Sequence, residues 1–183
     1  MIKTFHHVIA ASVGLLALAA GSAAQAASQG SLGATSTGSL SVSVSVPNRV
    51  RLSGLTDVAF TNQDPSVAAS NAQNVCVWSN TSTKGYNVTA TGSGAGNAFT
   101  LASGASNVAY SVEWAGNSGQ SAGTALATGA ALTGLTSTAT NATCSAGASS
   151  TASLIVKIPS ANLQNMQAAT TYTGTLTLVV APE

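Results

Sequence analysis

The side chains of this chain that could do chemistry are few. Asp57, Asp64 and Glu113 are the candidates for a carboxyl pair of the kind that cleaves glycosides. Their spacing links no two of them, and isolated surface carboxylates are the ordinary alternative. The imidazoles are His6 and His7, both inside an N-terminal segment that reads as a signal peptide. Lys3 opens that segment, Val8 to Ala20 is almost unbrokenly apolar, and Ala24-Gln25-Ala26 has the small-residue form of a cleavage site. Cleavage after Ala26 removes both histidines, and with them the commonest proton carrier and metal ligand. Serines abound, but there is no G-x-S-x-G turn and no remaining histidine to activate one. Gly92-Ser93-Gly94-Ala95-Gly96 lacks the strand-to-helix setting of a nucleotide loop. Cys76 and Cys144 are two sulfurs without histidine, too few for a tetrahedral zinc site. In an exported chain two cysteines most simply form one disulfide, the alternative being two separate buried thiols. The expectation is a protein that is not an enzyme and that holds no cofactor and no metal.

Composition bounds the rest. The 183 residues are 45% hydrophobic, 4% aromatic and 5% charged, against about 25% charged in an ordinary soluble domain. Past Ala26 the charges are Arg49, Arg51, Lys84 and Lys157 against Asp57, Asp64, Glu113 and Glu183, a balance of zero. Neutrality leaves self-association unopposed and argues against nucleic acid, which calls for a basic face. Past the signal segment no run is long enough for stable membrane insertion.

These residues must be positioned by strands. Leu40-Ser41-Val42-Ser43-Val44-Ser45-Val46-Pro47 alternates strictly between apolar residues and serine, the period of a strand, and Pro47 stops it. Val50–Leu52, Val75–Trp78, Tyr86–Thr91, Ala98–Leu101, Val108–Trp114, Ala152–Ile158 and Tyr172–Val180 read as further strands. Asn62 to Ala72 reads as loop, and Ala115 to Gly147 as a long excursion of small residues with one or two short strands. Asn162–Gln167 reads as a helical turn. No segment has the spacing of a long amphipathic helix, so the pattern predicts an all-β sandwich. Trp78, Tyr86, Tyr110 and Trp114 alternate with aliphatics and are expected in the core, with a sugar-binding surface as the alternative. Asn80-Thr81-Ser82, Asn87-Val88-Thr89 and Asn141-Ala142-Thr143 match the glycosylation sequon, which arises by chance in so polar a chain.

The segment Leu40–Val46 admits two readings. One is an ordinary first strand of its own sandwich. The other is a donor strand that fills a groove in a neighbouring molecule, with main-chain bonds giving the pairing and alternate side chains filling pockets. Its lack of charge and its place near the mature N-terminus favour the second. Exposed alone, such a segment invites aggregation, which implies a partner for it.

The run Ser39–Pro47, followed by Arg49-Val50-Arg51-Leu52, resembles the mature N-terminus of chaperone–usher pilin subunits, in particular their alternate (CFA/I-like) branch. Tyr172-Thr173-Gly174-Thr175-Leu176-Thr177-Leu178 resembles the terminal strand of those subunits and of spore-coat-U-like proteins. The resemblance covers both ends of the chain and the β pattern between. The chain departs from the better-known pilins in ending Ala181-Pro182-Glu183 and in the wide spacing of its cysteines. The resemblance implies an immunoglobulin-like β-sandwich that lacks its last strand and is completed by donor-strand exchange. Residues 1–26 would be the signal peptide, 27–38 a flexible leader, 39–47 the donor strand and 48–183 the sandwich domain. Leu40, Val42, Val44 and Val46 would be the inserted side chains. Tyr172, Leu176, Leu178 and Val180 would face the groove and the chaperone. The implied partners are a periplasmic chaperone, an outer-membrane usher and identical or related subunits, and the implied place is the periplasm in transit and then the cell surface. The implied function is a structural subunit of a fimbria that supports adhesion. The alternative is a monomeric secreted or coat-type sandwich, with carbohydrate binding as a role open to it.

Overall fold

The computed structural model describes residues 26–183; but for Ala26, the expected signal peptide lies outside the described residues. Nearly all regular structure is antiparallel β, and among the described residues no helix is long and apolar enough to cross a membrane. The chain divides into two units, residues 1–45 and 46–183.

In the first unit, Ser28 and Ser39 pair antiparallel through backbone bonds of 2.9 and 3.0 Å, and their hydroxyls meet at 2.7 Å. This bridge closes residues 28–39 into a loop. The segment after it, Leu40–Val46, belongs to no strand, although its alternation is the most regular in the chain. Alternation selects a face, but a strand also needs a partner for its backbone groups.

In the second unit a five-stranded sheet has the order β1-β2-β9-β6-β7. Its members are β1 (Val50–Ser53), β2 (Ala69–Ser79), β6 (Ser111–Ala115), β7 (Thr124–Ala125) and β9 (Ala152–Ile158). A three-stranded sheet has the order β10-β3-β8, from β3 (Gly85–Gly92), β8 (Ala131–Thr136) and β10 (Leu176–Pro182). A hairpin of β4 (Thr100–Ser103) and β5 (Ser106–Ala109) stands apart.

Both larger sheets feed one core. Tyr86, Val88 and Ala90 of β3 are fully buried there, with Val75 and Val77 of β2, Val112 and Trp114 of β6, and Leu154 and Ile158 of β9. The period-2 rule is visible in β2. Val75 and Val77 point into this core, while Cys76 and Trp78 point the other way into a small second cluster with Cys144 and Ala139. Cys76 and Cys144 are disulfide-bonded, Cα atoms 6.2 Å apart. The near-continuous apolar run of β9 has a local cause. Leu154, Val156 and Ile158 face the core, and Ser153 on the other face is sealed by Asn117 and Gln120, whose backbone carbonyl and amide bond its hydroxyl at 3.0 Å each.

Several boundaries differ from those read in the sequence. β2 begins at Ala69, inside the stretch read as loop, because Ala69 to Val75 pair with Ile158 to Ala152 despite their polar residues. The strand read over Val108–Trp114 is two. Val108, Tyr110, Val112 and Trp114 are all buried on one face, but pairing passes from β4 to β9 at Tyr110. The last strand begins at Leu176 rather than Tyr172, and before it Thr173 makes only a bridge to Ala102. The helical turn lies at Ser160–Leu163 (α1), just after Pro159, where the missing proline N–H costs nothing.

Candidate functional site

The site is built on an edge. β10 pairs along its whole length with β3, from Leu176 opposite Gly92 to Pro182 opposite Tyr86, and among the described residues no second strand is hydrogen-bonded to it, although β1 comes close. Facing that edge is the segment Leu55–Phe60. It leaves the five-stranded sheet at Gly54, whose φ of 84° is a left-handed conformation natural to glycine. Between segment and edge runs a groove of two contiguous stretches, with an apolar floor and walls on which Thr56, Asp57, Gln73 and Thr175 stand among the aliphatic residues.

The first stretch, about 540 Å³, is floored by Leu154, Val156 and Ile158 of β9 and by Tyr110. Its walls are Leu55, Val58 and Phe60 on one side and Gly174, Leu176 and Leu178 on the other. The second, about 840 Å³, shares Val58, Phe60, Leu101, Ile158 and Gly174 and continues past Leu163, Met166 and Tyr172. Asp57 is the one charged residue on the walls of either stretch. Burial raises the Tyr110 phenol above its ordinary pKa, as an apolar setting demands.

Of the residues expected to face a groove, Leu176 and Leu178 line the first stretch and Tyr172 lines the second. The Tyr172 hydroxyl accepts the backbone N–H of Gln167 at 3.2 Å, which fixes the loop at that end. Val180 packs on the core but lies outside both stretches. Leu40, Val42, Val44 and Val46 are 72, 87, 91 and 70% exposed. Sequence reasoning missed the opposite wall. Leu55, Val58 and Phe60 stand in a stretch without strand periodicity, and their only signal was three large apolar residues in an otherwise polar segment.

The catalytic candidates are not brought together. Glu113 accepts from Lys157 Nζ at 2.7 and 2.8 Å and from the backbone N–H of Gly123 at 2.9 Å. The bond to Lys157 first, then the Gly123 amide, holds its carboxyl below the usual carboxylate range. Asp64 is likewise lowered, by the hydroxyl and backbone N–H of Ser66 in a local turn. Asp57 stands on the groove wall without either of them. Among the described residues no three His, Cys, Asp or Glu side chains cluster as a metal site. Tyr86, Tyr110 and Trp114 are buried in the core, and Trp78 packs on the disulfide. No family model matches the chain, and no curated protein matches it.

Proposed function

We propose that this chain is a structural subunit of a bacterial surface fimbria, an immunoglobulin-like sandwich lacking its last strand and polymerised by donor-strand complementation. One observation carries the reading: a groove with an apolar floor beside the unpaired edge of β10 occurs in the same chain as an exposed segment of alternating apolar residues without charged side chains. The occupant of the groove is Leu40–Val46 of a second copy. A strand there gives β10 the backbone partner its edge lacks and lays Leu40, Val42, Val44 and Val46 against the half-buried Val58, Phe60, Leu176 and Leu178. Four such side chains at roughly 1.5–3 kcal/mol each contribute at most roughly 6–12 kcal/mol. No side chain of residues 27–48 is charged, so the inserted strand brings no ionised side chain into the groove, where Asp57 is the one charged residue on the walls.

On this reading the open groove is covered before assembly by a periplasmic chaperone and handed on at an outer-membrane usher, and the product stands on the cell surface and supports adhesion. The role is structural rather than enzymatic. The test is thermal melting of the mature chain with and without a synthetic peptide spanning Leu40–Val46. The peptide raises the melting temperature by several degrees, since a ligand that binds only the folded state stabilises it. A well-behaved monomer indifferent to the peptide argues instead for a monomeric secreted or coat-type sandwich.

A further inference from the structure

The groove exists because the chain following β1 does not stay on β2. The ladder pairs Val50 with Ser79 and ends with Ser53 opposite Cys76. Continued in the same register, it would set Thr56 opposite Gln73. Those two residues do meet, but through a side chain. The Gln73 amide oxygen accepts the Thr56 backbone N–H at 2.8 Å and the Thr56 hydroxyl at 3.1 Å, and Gln73 Nε2 donates to the Thr56 carbonyl at 3.1 Å. The primary amide of Gln73 thus stands in for a peptide group and makes the donor and acceptor bonds of a ladder rung, displaced from the β2 backbone by its own length. Both residues line the groove.

We infer that Gln73 is the positioning residue of the strand-accepting groove: its side chain is a spacer rung that holds the wall Leu55–Phe60 away from β2 and so sets the width of the groove. This rests on the reading of the groove as the acceptor of Leu40–Val46. An alanine here leaves the Thr56 N–H and C=O without their partner. The β2 backbone does not replace it: the β2 residues whose backbone groups face β1 are the even-numbered ones, as in the bond from Asn80 N–H to the Arg49 carbonyl, and Gln73 faces β9 instead, so the wall is left untethered at Thr56.

The test uses the mature chain kept dilute, as wild type, Gln73→Ala and Gln73→Glu. Three quantities are read: hydrogen exchange of the Thr56 amide without peptide, affinity for the Leu40–Val46 peptide, and melting temperature without peptide. In Gln73→Ala the Thr56 amide exchange changes by tenfold or more and the peptide binds about tenfold more weakly, while the melting temperature holds. Gln73→Glu keeps both bonds to the acceptor oxygen, loses the one to the Thr56 carbonyl, and falls between. Unchanged Thr56 exchange in Gln73→Ala overturns the inference, as does wild-type affinity in that variant. Affinity and melting temperature falling together mark a merely stabilising role and overturn it too. If the wild-type chain ignores the peptide, it is the reading of the groove as an acceptor that fails, and the exchange measurement alone decides whether Gln73 holds the wall.

Discussion

Trp114 and Tyr86 meet across the core, one from each of the two larger sheets. The indole N–H donates to the tyrosine hydroxyl at 3.2 Å, and the rings stand edge to face with centroids 6.5 Å apart. Each polar group thereby excuses the other's burial, and among the described residues no buried side-chain polar atom lacks a partner. Burial also raises the Tyr86 phenol above its ordinary pKa, against the smaller opposing effect of the Trp114 bond. Trp114→Phe leaves the tyrosine hydroxyl unpaired beside a void. The expected loss is about 2–4 kcal/mol, read by denaturant unfolding. A loss below about 0.5 kcal/mol would show that the pair does not tie the sheets together.

The disulfide joins residues 68 apart in sequence. In the chain-entropy account, closing a loop of that length stabilises the fold by about 4 kcal/mol. Reduction should also loosen the small cluster of Cys76, Ala139 and Cys144 against which Trp78 packs. The unreduced protein should weigh two hydrogens less than the reduced form, and reduction should lower its unfolding midpoint. Two freely alkylated thiols in the native protein contradict this.

Glu113 gives a pH dependence with a definite sign. Its folded-state pKa lies below the unfolded one, so its contribution to stability is complete above about pH 4.5 and is lost as the pH falls through the folded value. The pair with Lys157 is partly exposed, and about 1 kcal/mol is the upper range for it. Asp64 is lowered as well and adds to the same acid limb, so the comparison that isolates Glu113 is Glu113→Gln. That variant should be slightly less stable than wild type at pH 7 and equal to it near pH 2. A constant difference across that range contradicts the assignment.

Much of this fold was legible because buried faces impose a period. Tyr86, Val88 and Ala90, and Val108, Tyr110, Val112 and Trp114, repeat every two residues and are all buried. The polar half of β2 was not legible. Ser70 to Asn74 pair with β9 through their backbones, which leaves no trace in side-chain type. The groove was half legible. Leu176 and Leu178 alternate with threonine and announce a strand face, whereas the wall at Leu55–Phe60 follows a turn at Gly54 and meets β2 through hydrogen bonds to the Gln73 side chain, neither of which is written in residue periodicity. The most regular pattern of all, Leu40–Val46, was legible as a strand and is one the described chain leaves unpaired.

That unpaired segment presents its two faces to solvent. Val44 and Ser43 are adjacent, and in an extended segment they point to opposite sides. Val44 is 91% exposed, so a change there leaves the fold of one subunit alone. A carboxylate carried into a neighbour's apolar groove lacks a partner and costs several kcal/mol. The direct measurement is the fraction of subunits in sedimenting polymer, taken beside the yield of folded subunit, for wild type, Val44→Asp and Ser43→Asp. The account predicts that Val44→Asp abolishes polymer at undiminished yield of folded subunit and that Ser43→Asp largely retains it. Loss of folded subunit in Val44→Asp, or polymer at wild-type levels in that variant, contradicts donation of Leu40–Val46.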